Sequence, residues 1–371
     1  MKKLYLIAGE ASGDLHGSNL LKALHTLHPN LACRAWGGDL MGAAGTTIAK
    51  HYRDLAFMGF VEVLRNIKTI LGNIAFCKED ILAFNPDALV LIDYPGFNLR
   101  IAKWAKKQGI PVIYYISPQI WAWHQSRVHQ IKRDVDLMMV ILPFERAFYK
   151  KHGVEAVYVG HPLLDAVQSL QANTAGGTYP PRTIAVLPGS RVQEIKNMLP
   201  KMLSVAPDFP DYQFIVAGTN NFSAAYYAQF LGDYPNVQLI QGDTYGLLQH
   251  ASAALVKSGT STLEAALFNV PQVVCYAGNP ISYHIAKRLI RVKYISLVNL
   301  IADKPLVKEL IQEELRRENI RIALQHLLEP SNTAALKAEY RALRQQLGEG
   351  GASKSAAETI LQHVSTISPQ H

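Results

Sequence analysis

Cysteine is scarce: Cys33, Cys77 and Cys275 are the only three in 371 residues, isolated and odd in number. They offer neither a disulfide framework nor a metal-ligand spacing, and a reducing cytoplasm is the expected compartment. Long apolar runs are also missing; none approaches the roughly 18 residues of a spanning helix. The opening MKKLYLIAGEASGD has a short apolar run with acidic residues behind it, which reads as a first strand rather than a signal peptide. A basic stripe is absent too. The net charge is +8, but residues 1–181 hold 19 basic and 14 acidic side chains and the remainder 18 and 15. So diffuse an excess argues against nucleic acid and for a phosphorylated substrate, an anionic membrane surface or simply a soluble basic surface. Neither the G-x-G-x-x-G spacing of a dinucleotide site nor the Gly-Lys-Ser/Thr ending of a P-loop occurs.

What is present is a hydrophobic content of 49% with 18% charged residues, the composition of an ordinary globular chain. Short apolar runs alternate with amphipathic stretches. LYLIAG, ALVLID, PVIYYIS, LMMVIL and AVYVG fill the first half; TIAVLPGS, QFIVAG, VQLIQG, AALVKSG, QVVCYA and KYISLVN fill the second. The pattern predicts parallel sheets covered on both faces. Gly176, Gly177, Pro180 and Pro181 break it midway. The expected organisation is α/β: a doubly wound, Rossmann-like domain over 1–168, a linker at 169–182, a second such domain over 183–345, and a tail over 346–371. Helices are predicted around 332–347 and 353–366, packing back towards the N-terminal domain. Two such domains leave an interdomain cleft beside their strand C-terminal edges, where ligands of these sheets bind. That is the GT-B arrangement.

The motifs sit at strand-to-helix turns. LPGSRVQEI offers the Gly189 and Ser190 amides and the Arg191 fork to an anion. SGTSTLEAAL places Ser258, Gly259, Thr260, Ser261 and Thr262 at a helix start, with Glu264 in its first turn to meet a ribose diol or close a capping box. Two such loops in one domain favour a diphosphate site. In the first domain AGEASGDLHG brings Ser12, Gly13, Asp14 and His16 to a loop, where Ser12 or Asp14 could equally cap a helix. VLIDYPGFN leaves Asp93 at a strand end, suited to a general base, or to a turn cap before Pro95. Asp134 and Asp136 have metal-binding spacing but precede their strand, and read as a helix end and a solvated turn. The segment 119–133, with Trp121, Trp123, His124, Arg127, His129, Lys132 and Arg133, reads as helix packing with a basic face. The stripe Met58, Val61, Leu64, Ile67, Leu71 and Ile74, beside Arg65 and Lys68, reads either as core or as an acyl-binding or membrane-docking surface. A second candidate surface is 282–294, with Lys287, Arg288, Arg291 and Lys293.

With GEASGDLHG, WGGDLMGAAG, MGFVEVL, IDYPGFN, YYISPQIWAW, GHPLLD, LPGSR-x-x-EI, KSGTSTLEAAL and SLVNLIA in order, the chain resembles the lipid-A-disaccharide synthases over nearly its whole length. Tyr94 and Gly96 depart modestly from the family's pattern, as does Val298, where proline is common. The resemblance implies an inverting glycosyltransferase that moves 2,3-diacylglucosamine from its UDP conjugate to 2,3-diacylglucosamine 1-phosphate. It implies donor contacts from the PGSR and SGTST loops, including Glu194 and Asn299. It also implies acceptor contacts from Ser12, Gly13 and Arg127, and a base chosen among Asp93, Asp14 and His16, with Arg191 stabilising the departing UDP. No metal or other cofactor is expected. Implied partners are the two acylated substrates, the inner face of the inner membrane, and a second copy of the chain. The rivals are an isomerase of the UDP-N-acetylglucosamine 2-epimerase kind and a non-catalytic nucleotide-sugar-binding membrane scaffold.

Overall fold

In the computed structural model the described residues are 2–55, 67–122, 124–171, 179–278 and 292–367. They fall into two compact units, Met1–Asp165 with Gly350–His371, and Ala166–Glu349.

The first unit is built on a parallel sheet of β1 (Lys3–Ala8), β2 (Ala32–Gly37), β3 (Thr47–His51), β4 (Ala88–Ile92), β5 (Val112–Tyr115), β6 (Leu137–Val140) and β7 (Ala156–Tyr158). Its order is β3-β2-β1-β4-β5-β6-β7. β1 and β4 are buried on both faces, as continuous apolar runs between helix layers must be. Leu4, Leu6 and Ala8 point into one core and Tyr5 and Ile7 into the other. The last helix, Ala352–Ile367, completes the first of these cores with Ala356, Ala357, Ile360 and Val364. Asp165 fixes its start by accepting the Gly351 and Ser353 amides.

The second unit holds β8 (Thr183–Leu187), β9 (Gln213–Gly218), β10 (Val237–Gln241), β11 (Ala251–Lys257), β12 (Gln272–Tyr276) and β13 (Lys308–Ile311). They run parallel in the order β10-β9-β8-β11-β12-β13. β8 is wholly buried, whereas the edge strand β10 is half exposed.

Most of the apolar runs are strands. KYISLVN is not: it is a loop feeding the helix Leu297–Ala302, capped by Ser296. β2, β3 and β13 carry Arg34, Lys50, Lys308 and Glu309 within short stretches, so periodicity alone did not mark them. The final helices, Pro330–Leu347 and Ala352–Ile367, span the expected residues, but only the second packs on the first unit; the other belongs to the second unit, where Gln272 meets the Tyr340 hydroxyl.

Candidate functional site

Each sheet reverses its winding once, between β1 and β4 in the first unit and between β8 and β11 in the second. At such a switch point the two following helices depart to opposite faces and leave a crevice at the strand C-termini. All four loops singled out in the sequence leave those four strands.

In the first unit, Asp93 and Tyr94 follow β4, and both have left-handed backbones, φ +45° and +49°. Two consecutive non-glycine residues there store strain that the surroundings must hold. Asn98 Nδ2 and the Tyr114 hydroxyl donate to the Asp93 carbonyl at 2.7 and 2.6 Å, and the Asp93 amide donates to Tyr115 O. The backbone is thereby pinned, and the partly buried carboxylate takes a hydrogen bond from the Tyr94 backbone. Burial pushes Asp93 up to about 6, and the charge of Glu10, on the loop after β1, adds to the rise. The Tyr94 ring lies over Gly9, where a β-carbon would fall 2.2 Å from it. Glu10 was not among the expected site residues; only its place at the switch point reveals it.

Asp14 is buried and occupied elsewhere. Its carboxylate accepts the amides of Gly38, Leu40 and Met41 at 2.7, 3.2 and 3.1 Å, and so caps the helix Asp39–Ala43 rather than its own. Gly13 is buried against Ala8 and Ser12 is exposed. His16 is pushed down to about 4 by burial and stays neutral at pH 7. It acts on the buried His161 after β7, itself held down to about 3, chiefly by burial. Arg127 ends a short 3-10 turn, and its charge reaches Tyr114, the phenol bonded to Asp93; burial raises that phenol and Arg127 opposes the rise.

One further group went unread in the sequence. Glu145 after β6 is buried, accepts from Trp121 Nε1 and from the Ile141 and Leu142 amides, and is pushed up to about 7 by burial. It anchors Trp121, and so the loop after β5. Asp134 pairs with Arg133; Asp136 pairs with Lys106 and accepts the Val112 amide. Both lie before β6, at the strand edge opposite the loops described above.

In the second unit, Gly189 turns at φ +103° and Arg191 caps the helix Val192–Leu203 with its guanidinium exposed. The Ser190 amide, expected to face an anion, donates instead to Glu194 Oε2 at 3.0 Å. Glu194 Oε1 pairs at 2.9 Å with Lys257, the last residue of β11. Glu194 therefore holds the loop from the first turn of the helix that follows it. Gly259 begins the helix Thr260–Leu267 at φ +152°, a region open essentially to glycine. Ser258 donates to Ile295 O, and Thr262 donates to Gly259 O. Thr260 is exposed and Ser261 half-buried at the helix start. Glu264 accepts from the Tyr245 hydroxyl at 3.1 Å, and burial raises it. Asn299 is a correction: its amide donates to Val307 O and Glu309 and accepts the Val307 N–H. Donors and acceptor are all engaged in holding the loop, so the side chain serves the scaffold rather than a ligand.

Among the described residues no group of three or more His, Cys, Asp or Glu could hold a metal ion. Met58, Val61, Leu64, Arg65, Trp123, Lys287, Arg288 and Arg291 lie outside the described residues.

A model of the lipid-A-disaccharide synthetase family matches residues 4–364. The chain belongs to this family. The lipid-A-disaccharide synthase of Geobacter metallireducens is 40% identical over 372 residues, covering 97% of either chain. That of Coxiella burnetii is 39% identical, covering 97% of this chain and 98% of its own. The chain is accordingly a glycosyltransferase, a hexosyltransferase of lipid A biosynthesis, whose family acts on sugar-nucleotide and lipid-linked sugar phosphate substrates. Solved structures give the fold. A Neisseria meningitidis UDP-GlcNAc 2-epimerase bound to UDP-GlcNAc aligns with TM-score 0.68 at 16% identity, covering 98% of this chain and all of that one. A calicheamicin glycosyltransferase aligns at 0.65 and 17%, covering all of both. The fold is GT-B. The isomerase and scaffold readings are not favoured, because the close relatives are synthases and the epimerase likeness is one of fold alone.

Proposed function

We propose that the chain transfers 2,3-diacylglucosamine from its UDP conjugate to the 6-hydroxyl of 2,3-diacylglucosamine 1-phosphate. Inversion gives a β-1,6-linked disaccharide 1-phosphate and UDP. The family match across residues 4–364 carries the reading, and the two switch points supply the roles.

Inversion is a single displacement, so the acceptor hydroxyl must lose its proton as it attacks. Asp93 takes it. A pKa near 6 leaves the carboxylate ionised at neutral pH yet basic enough to act, and its pinned carbonyl fixes where the side chain can reach. Asp14, tied to three amides, positions the loop, and His16, held near 4, is the weaker base. Ser12, Gly13 and Arg127 bind the acceptor, with the cation of Arg127 for its 1-phosphate. In the second unit the donor's diphosphate meets Arg191 and the helix start at Ser258–Thr262, with Gly189 shaping the turn and Glu264 facing the ribose. As UDP leaves, charge grows on its β-phosphate, and a preorganised fork and helix end stabilise it. No metal is needed for that step.

The protein acts at the inner face of the inner membrane as a peripheral protein, and a homodimer is its proposed assembly. Incubation with both acylated substrates tests the reading: UDP and disaccharide should appear together. Conversion of the UDP-sugar without acceptor would overturn it in favour of isomerisation, and UDP binding without turnover would favour a scaffold.

A further inference from the structure

Lys257 is assigned no role by the motifs, yet it occupies the switch point of the second unit. β8 and β11 are neighbours in register, Leu187 beside Val256. The loop after β8 carries Gly189 and Ser190, with Glu194 in the first turn of the helix that follows; Lys257 ends β11, and Gly259 lies in the loop after it. The Lys257–Glu194 ion pair spans the gap between them at 2.9 Å, with side chains only 23% and 18% exposed. It lies against both glycines. A β-carbon on Gly189 would fall 2.4 Å from Glu194 Oε2, and one on Gly259 would lie 3.5 Å from Lys257 Nζ. The pair thus occupies the space that a side chain on Gly189 would need and lies within ordinary contact of Gly259.

Glu194 fixes the turn by accepting the Ser190 amide. It also puts a negative charge beside a loop proposed to hold a diphosphate, where an unpaired carboxylate would repel the ligand. Lys257 is the cation facing it. We infer that Lys257 is a positioning residue of the donor site: it compensates Glu194 and ties the two loops together, leaving the Arg191 guanidinium to meet the diphosphate. The inference rests on the donor reading given above. It makes an unusual demand, because removing the second charge of the pair should repair the loss of the first.

Titration of the full-length protein with UDP, followed calorimetrically, tests this with thermal midpoints recorded alongside. Lys257→Ala and Lys257→Met should weaken UDP binding about tenfold, since an uncompensated carboxylate remains beside the loop. Glu194→Gln added to either should restore affinity to within about threefold of wild type, because a glutamine oxygen still accepts from Ser190 while the charge is gone. Lys257→Arg should bind as wild type. A double variant as weak as Lys257→Ala would make Lys257 a direct phosphate ligand and overturn the inference, as would unchanged binding by Lys257→Ala and Lys257→Met. Arg191→Ala in the same titration probes the donor reading. Undiminished binding there removes the loop from the donor site, and Lys257 with it. Loss in Arg191→Ala without loss in the Lys257 variants overturns the Lys257 role alone.

Discussion

At the scale of single residues, Asp93, the proposed base, carries a cost in stability. Its folded pKa is raised above the unfolded value, so the folded state prefers the protonated form. Its contribution is therefore favourable at low pH and is lost as pH rises from about 4 through about 6, leaving an ionised, poorly solvated carboxylate at neutral pH. Asp93→Asn removes that burden and suits the left-handed backbone at this position. At pH 7 the variant should be more stable, by on the order of 1–3 kcal/mol, while turnover falls about 10²–10⁴-fold with UDP affinity intact. Thermal melts and initial rates on one preparation decide it; a variant of near-normal turnover would exclude Asp93 as the base. In the wild type kcat/KM should rise with pH through about 6, with Asp93 deprotonating beside Glu10. Arg191 is the other test at this scale. Arg191→Lys keeps the charge but loses the planar fork, and turnover should drop about tenfold. Arg191→Ala should be worse, and full activity at saturating donor would remove the residue from the mechanism.

At the scale of elements, unusual backbone marks the turns after β4, β5 and β11: Asp93 and Tyr94, Ile116 at φ +63°, and Gly259 at +152°. Gly259→Ala meets nothing closer than 3.5 Å, so its effect is one of backbone alone. It should destabilise by about 1–3 kcal/mol and weaken UDP binding by shifting the helix start at Thr260. A melt unchanged by the substitution would mean that the turn relaxes freely. Such turns were legible because a buried strand followed by Gly, Ser and Thr is a local signal. Asp93 stood out because a carboxylate closing the apolar run ALVLI has few structural uses. What stayed hidden depends on chain-distant partners. Asp14 looked like a cap for its own helix, and only the folded β2–helix turn shows that it caps Asp39–Ala43. Asn299 lay in a motif, but its engagement with Val307 and Glu309 needs β13 beside β12. Glu10, Glu145 and Lys257 are ordinary charged residues until the sheet order brings Glu10 near Asp93, Glu145 onto Trp121, and Lys257 against Glu194.

At the scale of the whole molecule, the repeated switch-point construction and the net charge of +8 lead to two expectations. Turnover should persist in excess chelator, because the proposed donor site offers the departing diphosphate a guanidinium and a helix end; loss with rescue by magnesium or manganese would overturn this. The second expectation concerns the membrane. No described helix is long and apolar enough to cross one. The helix Ile67–Phe84 nevertheless presents Leu71 at 57% and Leu82 at 52% exposure, eleven residues apart and so on one face. Phe76, 43% exposed, instead leans on the ring of Trp36. Inserting such side chains into an interface gains at most about 1.5–3 kcal/mol each, too little for firm attachment without attraction between a basic surface and anionic lipid. Both contributions should therefore be visible. Sedimentation with anionic vesicles should weaken as salt shortens the screening length from about 30 Å at 0.01 M to about 8 Å at 0.15 M. Leu71→Ser with Leu82→Ser should release the protein further, with an unchanged melt because neither side chain is buried. Vesicle binding indifferent to both salt and these substitutions would place the docking surface elsewhere, and a lowered melt would show that this face is covered in the folded protein.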